Sequence, residues 1–437
     1  MENILIIIFV MGYLGITLEH TFKIDKLVPA LAMMAIMWAV IALAHIPVFE
    51  INEVLKELEP HHMEGVLLHH LGKTSEILMF LLGAMTIVEI TDHFNGFGAI
   101  KKFIRTNKKS TLLWIITILA FVLSAVIDNL TATIVLITIL KKILNDPKQR
   151  MWYAGMIIIA ANAGGAWSPI GDVTTTMLWI GNKVSAGALF KFLIVPSLAC
   201  FILPNLIAMN MKPFKGGFDM PKDDPKDADA SLPMLILGLG AIIFVPIFKT
   251  ITHLPPYVGM MLSLAVVATV AEIISNRRFK MSTVSGSHNE NPGHKALSRI
   301  ELPSILFFLG ILMAVAALES MGTLFRFAGS LNEAIPNTDI VVMLFGVGSA
   351  IVDNVPLVAA SLGMFSQPMD DPLWHFIAYS AGTGGSMLII GSAAGVVAMG
   401  MERIDFVWYL KNISWLAVVG FVAGCATFIG MGAAGLH

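Results

Sequence analysis

Two six-residue runs set a carboxylate beside a carboxamide in the middle of very apolar sequence. They read Ser124-Ala125-Val126-Ile127-Asp128-Asn129 and Ser349-Ala350-Ile351-Val352-Asp353-Asn354. Ser349 follows Ser124, and Asp353 follows Asp128, by the same 225 residues. An aspartate at the centre of a membrane helix costs at least about 2.5 kcal/mol, so it marks a functional site by default. Its chemistry is narrow: it holds a proton, coordinates a cation, or is satisfied by buried donors. Two such places in two matching halves point to a transporter built from repeats, with the site between them.

A glycine-rich run follows each pair. The first is Asn162-Ala163-Gly164-Gly165-Ala166-Trp167-Ser168-Pro169-Ile170-Gly171-Asp172-Val173-Thr174-Thr175-Thr176. The second is Ser380-Ala381-Gly382-Thr383-Gly384-Gly385-Ser386, continuing to Gly391-Ser392, and Gly384 follows Gly164 by 220 residues. Glycine and proline release the backbone from helical hydrogen bonding. The freed carbonyls and the Ser, Thr and Asn oxygens are hard ligands for a bare cation, and half-helix ends add partial charge. The candidate cation ligands are therefore Ser124, Asp128, Asn129, Asn162, Asp172, Thr174, Thr175, Ser349, Asp353, Asn354, Thr383 and Ser386. Asp172 has a second reading, as the cap of the half-helix after it. The glycines have one too, as points of close helix packing.

Glu89, Asp92 and Glu319 fall late in the third span of each half, where they read as proton relays or as satisfied acids near the interface. His61, His62, His69 and His70 form two pairs in a loop over 47–74. That loop reads as solvated and exterior, although such histidines could sense pH or hold a metal. Cys200 and Cys425 lie in separate apolar spans, which suits packing and gives neither metal spacing nor a disulfide framework. No resident cofactor is expected.

Composition sets the elements that must hold these residues. The 437 residues are 56% hydrophobic and 13% charged, with a mean hydropathy of +0.79. Soluble domains carry about 25% charge, so this chain is a polytopic membrane protein in a lipid bilayer. A net charge of −2 argues against nucleic-acid partners. The first apolar segment opens Met1-Glu2-Asn3 without a basic region and reads as a retained helix.

About 20 apolar residues cross a bilayer. On that measure, spans are expected near 3–19, 27–46, 75–93, 152–181, 187–211, 231–250, 256–275, 302–321, 373–401 and 406–431, those at 152–181 and 373–401 being broken. The segments 111–140 and 339–366 hold the Asp-Asn pairs. Lys101, Lys102, Arg105, Lys108 and Lys109 precede the first, and Lys141, Lys142, Lys148 and Arg150 follow it. The positive-inside rule puts both flanks in the cytoplasm. Each arm, taken as about 14 residues and so roughly 21 Å, is too short to cross, which predicts a re-entrant hairpin. Glu333, Asp339, Asp370 and Asp371 flank the second segment, whose ends face outside.

One hairpin opens inward and the other outward, as an inverted repeat requires. The expected fold is thus all-α with two inverted-topology repeats, each of five transmembrane helices and one hairpin, with broken helices at the midplane. The first repeat is 1–211 (hairpin 111–140, broken helix 152–181). A polar linker over 212–230 leads to the second, 231–437 (hairpin 339–366, broken helix 373–401). Amphipathic stretches Gly96–Arg105 and Gly322–Leu331 precede the hairpins, the loop 276–299 is polar, and both termini fall outside.

The Ser-x-x-x-Asp-Asn tips, the Asn162–Thr176 run and Asp353-Asn354-Val355-Pro356 resemble the NhaD-type sodium/proton antiporters of the ion transporter superfamily, over essentially the whole chain. In the divalent-anion symporters of that superfamily the tips resemble Ser-x-x-x-Ser-Asn-Thr. Here Asp128 and Asp353 stand at the second serine, and Leu130 and Val355 at the threonine. Two added carboxylates repel a dicarboxylate and attract a cation. The resemblance implies secondary antiport of Na⁺, and of Li⁺, against H⁺ rather than enzymatic catalysis. It also implies an elevator-type movement of the hairpin-and-broken-helix core, a homodimer, and a place in the plasma (inner) membrane of a bacterium. The rival is a sodium-coupled anion or metalloid transporter, against which stands the lack of Arg or Lys in the core motifs.

Overall fold

In lipid a backbone is satisfied inside helices, and irregular backbone survives at depth only where protein or a water cavity surrounds it. The computed structural model describes residues 2–17, 24–52, 57–101, 104, 106–218, 232–281, 302–351 and 354–435. Asp353 lies outside the described residues, as do much of the 212–230 linker and of the 276–299 loop.

In the first half, α1 (Glu2–Thr17) and α2 (Leu27–Leu43) lead to β1 (Val48–Asn52) and β2 (Glu57–His61), an antiparallel pair. Then come α3 (Met63–His93), the short α4 (Gly98–Lys101), α5 (Lys109–Ile127) and α6 (Asn129–Ile143). The first half ends with α7 (Pro147–Gly165), α8 (Val173–Ile180) and α9 (Ala186–Ala208). The second half begins with α10 (Leu232–Thr252), α11 (Pro256–Met281), α12 (Leu302–Ser320) and the amphipathic α13 (Thr323–Ala334). It continues with α14 (Thr338–Ile351), α15 (Asn354–Met364), α16 (Pro372–Gly384) and α17 (Ala393–Glu402). It closes with α18 (Phe406–Asn412) and α19 (Ser414–Ala433).

Helices α3, α5, α9, α10, α11 and α19 are long and apolar enough to cross a membrane. Contacts recur in both halves. Helix α5 packs on α7 as α14 packs on α16, and α9 on α7 as α19 on α16. Asp146 caps α7 with Pro147 at its first position, and Asp371 and Pro372 do the same for α16. Ser124 Oγ donates to the Ala161 carbonyl (2.5 Å), and Ser349 Oγ to the Ala381 carbonyl (2.7 Å). Helix α7 is buried all round from Tyr153 to Gly165, and α16 from Leu373 to Gly384. By contrast, α10 and α11 present exposed Ile236, Ile247, Ile251 and Leu262, an outer face suited to lipid.

Three expectations are corrected. The chain is predominantly helical, but residues 48–61 include a two-stranded sheet. The 47–74 segment is not all loop: α3 begins at Met63 and runs 31 residues, about 46 Å. His69 and His70 lie on it, and His70 is buried. Val66, His70 and Thr74, four residues apart, share its buried face, a helical period that the two histidine pairs obscure. Finally, the first arm of the 111–140 segment is not 14 residues long. Helix α5 has 19, about 28 Å, so arm length does not itself forbid crossing.

Topology can be read directly. Lys108, Lys148, Asn337 and Met369 are exposed. Cysteines at Lys108 and Lys148 should react with an impermeant maleimide only from the cytoplasm, and those at Asn337 and Met369 only from outside. Labelling of the two ends of α5–α6, or of α14–α15, from opposite faces would exclude re-entrant hairpins.

Candidate ion-binding site

Among the described residues, the chain leaves its helical course at Asp128, over 166–172 and over 385–392, and polar side chains beside these breaks meet. Between α5 and α6 stands Asp128 at φ +88°, ψ 157°. A residue with a Cβ is strained there by about 1–3 kcal/mol, and such strain collects at functional sites. Local bonds hold it: Asp128 Oδ1 accepts from Thr131 N (2.8 Å) and Oδ2 from Thr131 Oγ1 (2.9 Å). Asp128 thereby caps α6, and it is half-buried.

Asp172 is more deeply placed, at 3% exposure, where extended backbone opens α8. Its Oδ2 accepts from Thr174 Oγ1 (2.6 Å) and Asn354 Nδ2 (3.0 Å), and its Oδ1 from Asn129 Nδ2 (3.4 Å). The carboxamides of both Asp-Asn runs thus reach one carboxylate. Asn129 Nδ2 also donates to Asn162 Oδ1 (3.0 Å), and Asn162 Nδ2 to Ser386 Oγ and Ser392 Oγ (3.0 Å each). Ser392 follows Asp172 by 220 residues and has the same extended backbone, opening α17 as Asp172 opens α8.

Asp128 and Asp172 share a cavity of about 90 Å³ with Asn129, Thr131, Asn354 and Lys26; Phe80, Met85, Met260 and Phe307 supply apolar wall. A second cavity, of about 620 Å³, follows along the same helices. Helix α8 gives Val173 and Thr176 to the first and Met177 and Ile180 to the second, and α15 gives Asn354 and Val355, then Ala359 and Leu362. The larger cavity is rich in ionisable side chains, with His69, His70, Lys73, Glu76, Lys183 and Glu319.

Bonds between the halves hold these breaks in register. Arg150 Nε meets both carboxylate oxygens of buried Glu402 (3.1 and 2.9 Å), and Lys141 Nζ meets the Met401 carbonyl (2.9 Å). At the other end, Asp370 Oδ1 accepts from Ser185 N (2.6 Å), and Asp370 N donates to the Lys183 carbonyl (2.8 Å). The end of α6 and the start of α7 are tied to the end of α17, and the loop after α15 to the loop between α8 and α9.

Comparison with known proteins agrees with this architecture. A family model described as "Citrate transporter" matches residues 4–375. Sodium/proton antiporter 2 of Arabidopsis thaliana is 38% identical over 97% of this chain and 98% of its own. Sodium/proton antiporter 1 of the same plant is 42% identical, over 97% and 71%. The Na⁺/H⁺ antiporter NhaD of Vibrio cholerae is 30% identical, over 95% and 88%. The chain belongs to this transporter family, in its NhaD-type sodium/proton antiporter branch. The YdaH transporter of Alcanivorax borkumensis shares the fold, with a TM-score of 0.54 at 13% identity, over 96% and 99% of the two chains.

In this NhaD-type chain, Asp128 bonds within its own turn, and the other described candidates fall into three groups. Asn129, Asn162, Asp172, Thr174, Asn354 and Ser386 form one bonded cluster. Ser124, Ser349, Thr175 and Thr383 donate to backbone carbonyls and hold helices together. Glu319 lines the larger cavity, while Glu89 and Asp92 line neither. Lys26 and Ser392 were missed. The 220-residue offset could have found Ser392; Lys26 lies outside every motif.

Glycine permits the close approaches. A Cβ at Gly164 would collide with the Phe121 carbonyl, and one at Gly384 with the Gly346 carbonyl, whereas Gly187 has open space. Gly164→Ala and Gly384→Ala should each lower the melting temperature by several degrees and cut the yield of monodisperse protein. Gly187→Ala should match the parent in the same fluorescence-detected size-exclusion assay.

Proposed function

We propose that this protein is a secondary antiporter that exports Na⁺, and Li⁺, in exchange for H⁺, with ion and proton competing for Asp172 and Asp128. The observation that carries the reading is the meeting of Asn129, Asn354 and Thr174 on buried Asp172. A carboxylate in apolar surroundings is costly while charged. It is neutralised by a proton or by a cation, and the two exclude each other at the same oxygens. Exchange becomes obligatory when the empty, charged site cannot move and both loaded forms can.

The relatives' printed names, sodium/proton antiporter and NhaD, support the same activity. The two inverted repeats, the re-entrant hairpins and the elevator-type movement of α5–α8 with α14–α17 belong to the proposal, as does a homodimer. The packing of α6 on α17 and of α15 on α8, with the bonds from Lys141 and Arg150 to the end of α17, supports movement as one body. Asp353 is proposed as the second-half counterpart of Asp128 on sequence grounds. A plasma (inner) membrane setting in a bacterium with both termini outside completes the reading.

The test is dequenching of a ΔpH probe in everted vesicles, with NaCl, LiCl, KCl or citrate added. Na⁺ and Li⁺ should collapse the gradient, and K⁺ and citrate should not. Asp172→Asn should reduce the signal to background in protein that still folds, and so should Asp128→Asn. Wild-type exchange in Asp172→Asn would overturn the shared site, and wild-type exchange in Asp128→Asn alone would reduce Asp128 to a helix cap.

Competition also fixes a sign with pH. As pH falls, protons occupy the carboxylates, so apparent Na⁺ affinity weakens, by up to about tenfold per pH unit for each proton displaced, or 1.4 kcal/mol. Maximal velocity at saturating Na⁺ should change far less. Affinity insensitive to pH, with a profile displaced by a full unit in His69→Gln/His70→Gln, would instead make the histidine pair a separate sensor.

A further inference from the structure

Lys26 breaks a local rule. It occupies the N-cap of α2, where the helix end carries partial positive charge and an ammonium is disfavoured, and its side chain makes no capping bond. The side chain is half-buried. Its Nζ lies 4.5 Å from the centre of the Phe307 ring, and Phe307 is 1% exposed. An ammonium on an aromatic face is held by the ring's negative face, which opposes its usual reach toward water. Phe307 and Lys26 both line the 90 Å³ cavity of Asp128 and Asp172. Among the described residues lining that cavity, Lys26 carries the one positive charge and the two aspartates the negative charge.

We propose that Lys26 is a tethered competitor of the transported cation, setting the affinity of the carboxylate site for Na⁺. The proposal rests on the antiport reading and names a specificity-determining residue within it. With neither ion nor proton bound, two aspartates give the cavity a charge of −2, which the ammonium halves. One Na⁺ or one proton then brings it to zero. The chemistry needs no contact between Nζ and a carboxylate. A fixed positive charge in the same low-dielectric space lowers the attraction for a second cation. The cation–π contact seats the ammonium on the cavity wall beside Phe307. The charges also come from different layers. Lys26 begins α2, which packs on α12, whereas the aspartates lie at the starts of α6 and α8. Movement of one layer against the other would withdraw the ammonium and give the site unequal affinity in its two positions.

The test is the Na⁺ concentration for half-maximal ΔpH collapse in vesicles at fixed pH, with calorimetric Na⁺ binding to purified protein as a second readout. K26Q and K26M should lower that concentration about tenfold, or 1.4 kcal/mol. K26R, which keeps the charge, should stay near the parent. General damage raises the half-maximal concentration or abolishes transport; it does not tighten Na⁺ binding. An unchanged or higher value in both neutral variants, with the parent exchanging Na⁺ for H⁺, would overturn the proposal. So would folding of K26R alone, which would make the ammonium structural. Failure of the parent itself to exchange Na⁺ for H⁺ would instead sink the antiport reading.

Discussion

A carboxylate buried in apolar protein cannot stand charged and unsupported. Asp172 is under that constraint, and the chain meets it by bringing donors from both halves to one point. Thr174 is local. Asn129 and Asn354 come from runs 225 residues apart, each the first residue of a helix. For both to reach Asp172, the breaks must stack at one depth. That requires close backbone approach, which is why Gly164, Gly171, Gly384 and Gly391 face carbonyls and backbone rather than side chains. The glycines are thus part of the electrostatics, because without them the amides do not reach.

The same constraint separates a packed interior from a looser surround. Helices α7 and α16 are buried on all sides, and the polar bonds at their ends run between the halves. Glu402 shows the cost being met a second time: its buried carboxylate is held by Arg150 in a two-oxygen grip, with Lys141 at 3.9 Å. Strain at Asp128 is tolerated because its own side chain closes the turn onto Thr131. The cavities lie where this interior faces α3 and α12, in file along α8 and α15.

Much of this was legible in sequence because lipid simplifies the code. Helix breaks at Asp128 and near Asp172 follow from polar residues and glycines in apolar runs that have no other reason to contain them. The 225- and 220-residue offsets identified which serines and glycines would play equal parts, and Ser124 and Ser349 make equivalent bonds. Rank among the carboxylates was not legible. Asp128 is conspicuous in sequence yet caps a helix, while Asp172, which reads equally as a cap, takes the donors of both halves. Burial and partner count are tertiary properties. Lys26 was invisible for a related reason: a lysine before a helix reads as a loop charge until the Phe307 ring and the cavity are in place. The histidine pairs obscured an extension of α3 because polar residues on a helix that outruns the bilayer look like loop.

The central claim is that Na⁺ and H⁺ share one set of oxygens. The most direct measurement is proton release when Na⁺ binds to the purified protein, read by titrating NaCl into weakly buffered detergent solution and following pH. The account predicts stoichiometric release at pH values where the site is protonated, absent with KCl and absent in Asp172→Asn. Saturable Na⁺ binding with no proton released at any pH would mean that ion and proton occupy separate groups, and the shared-site account would be wrong.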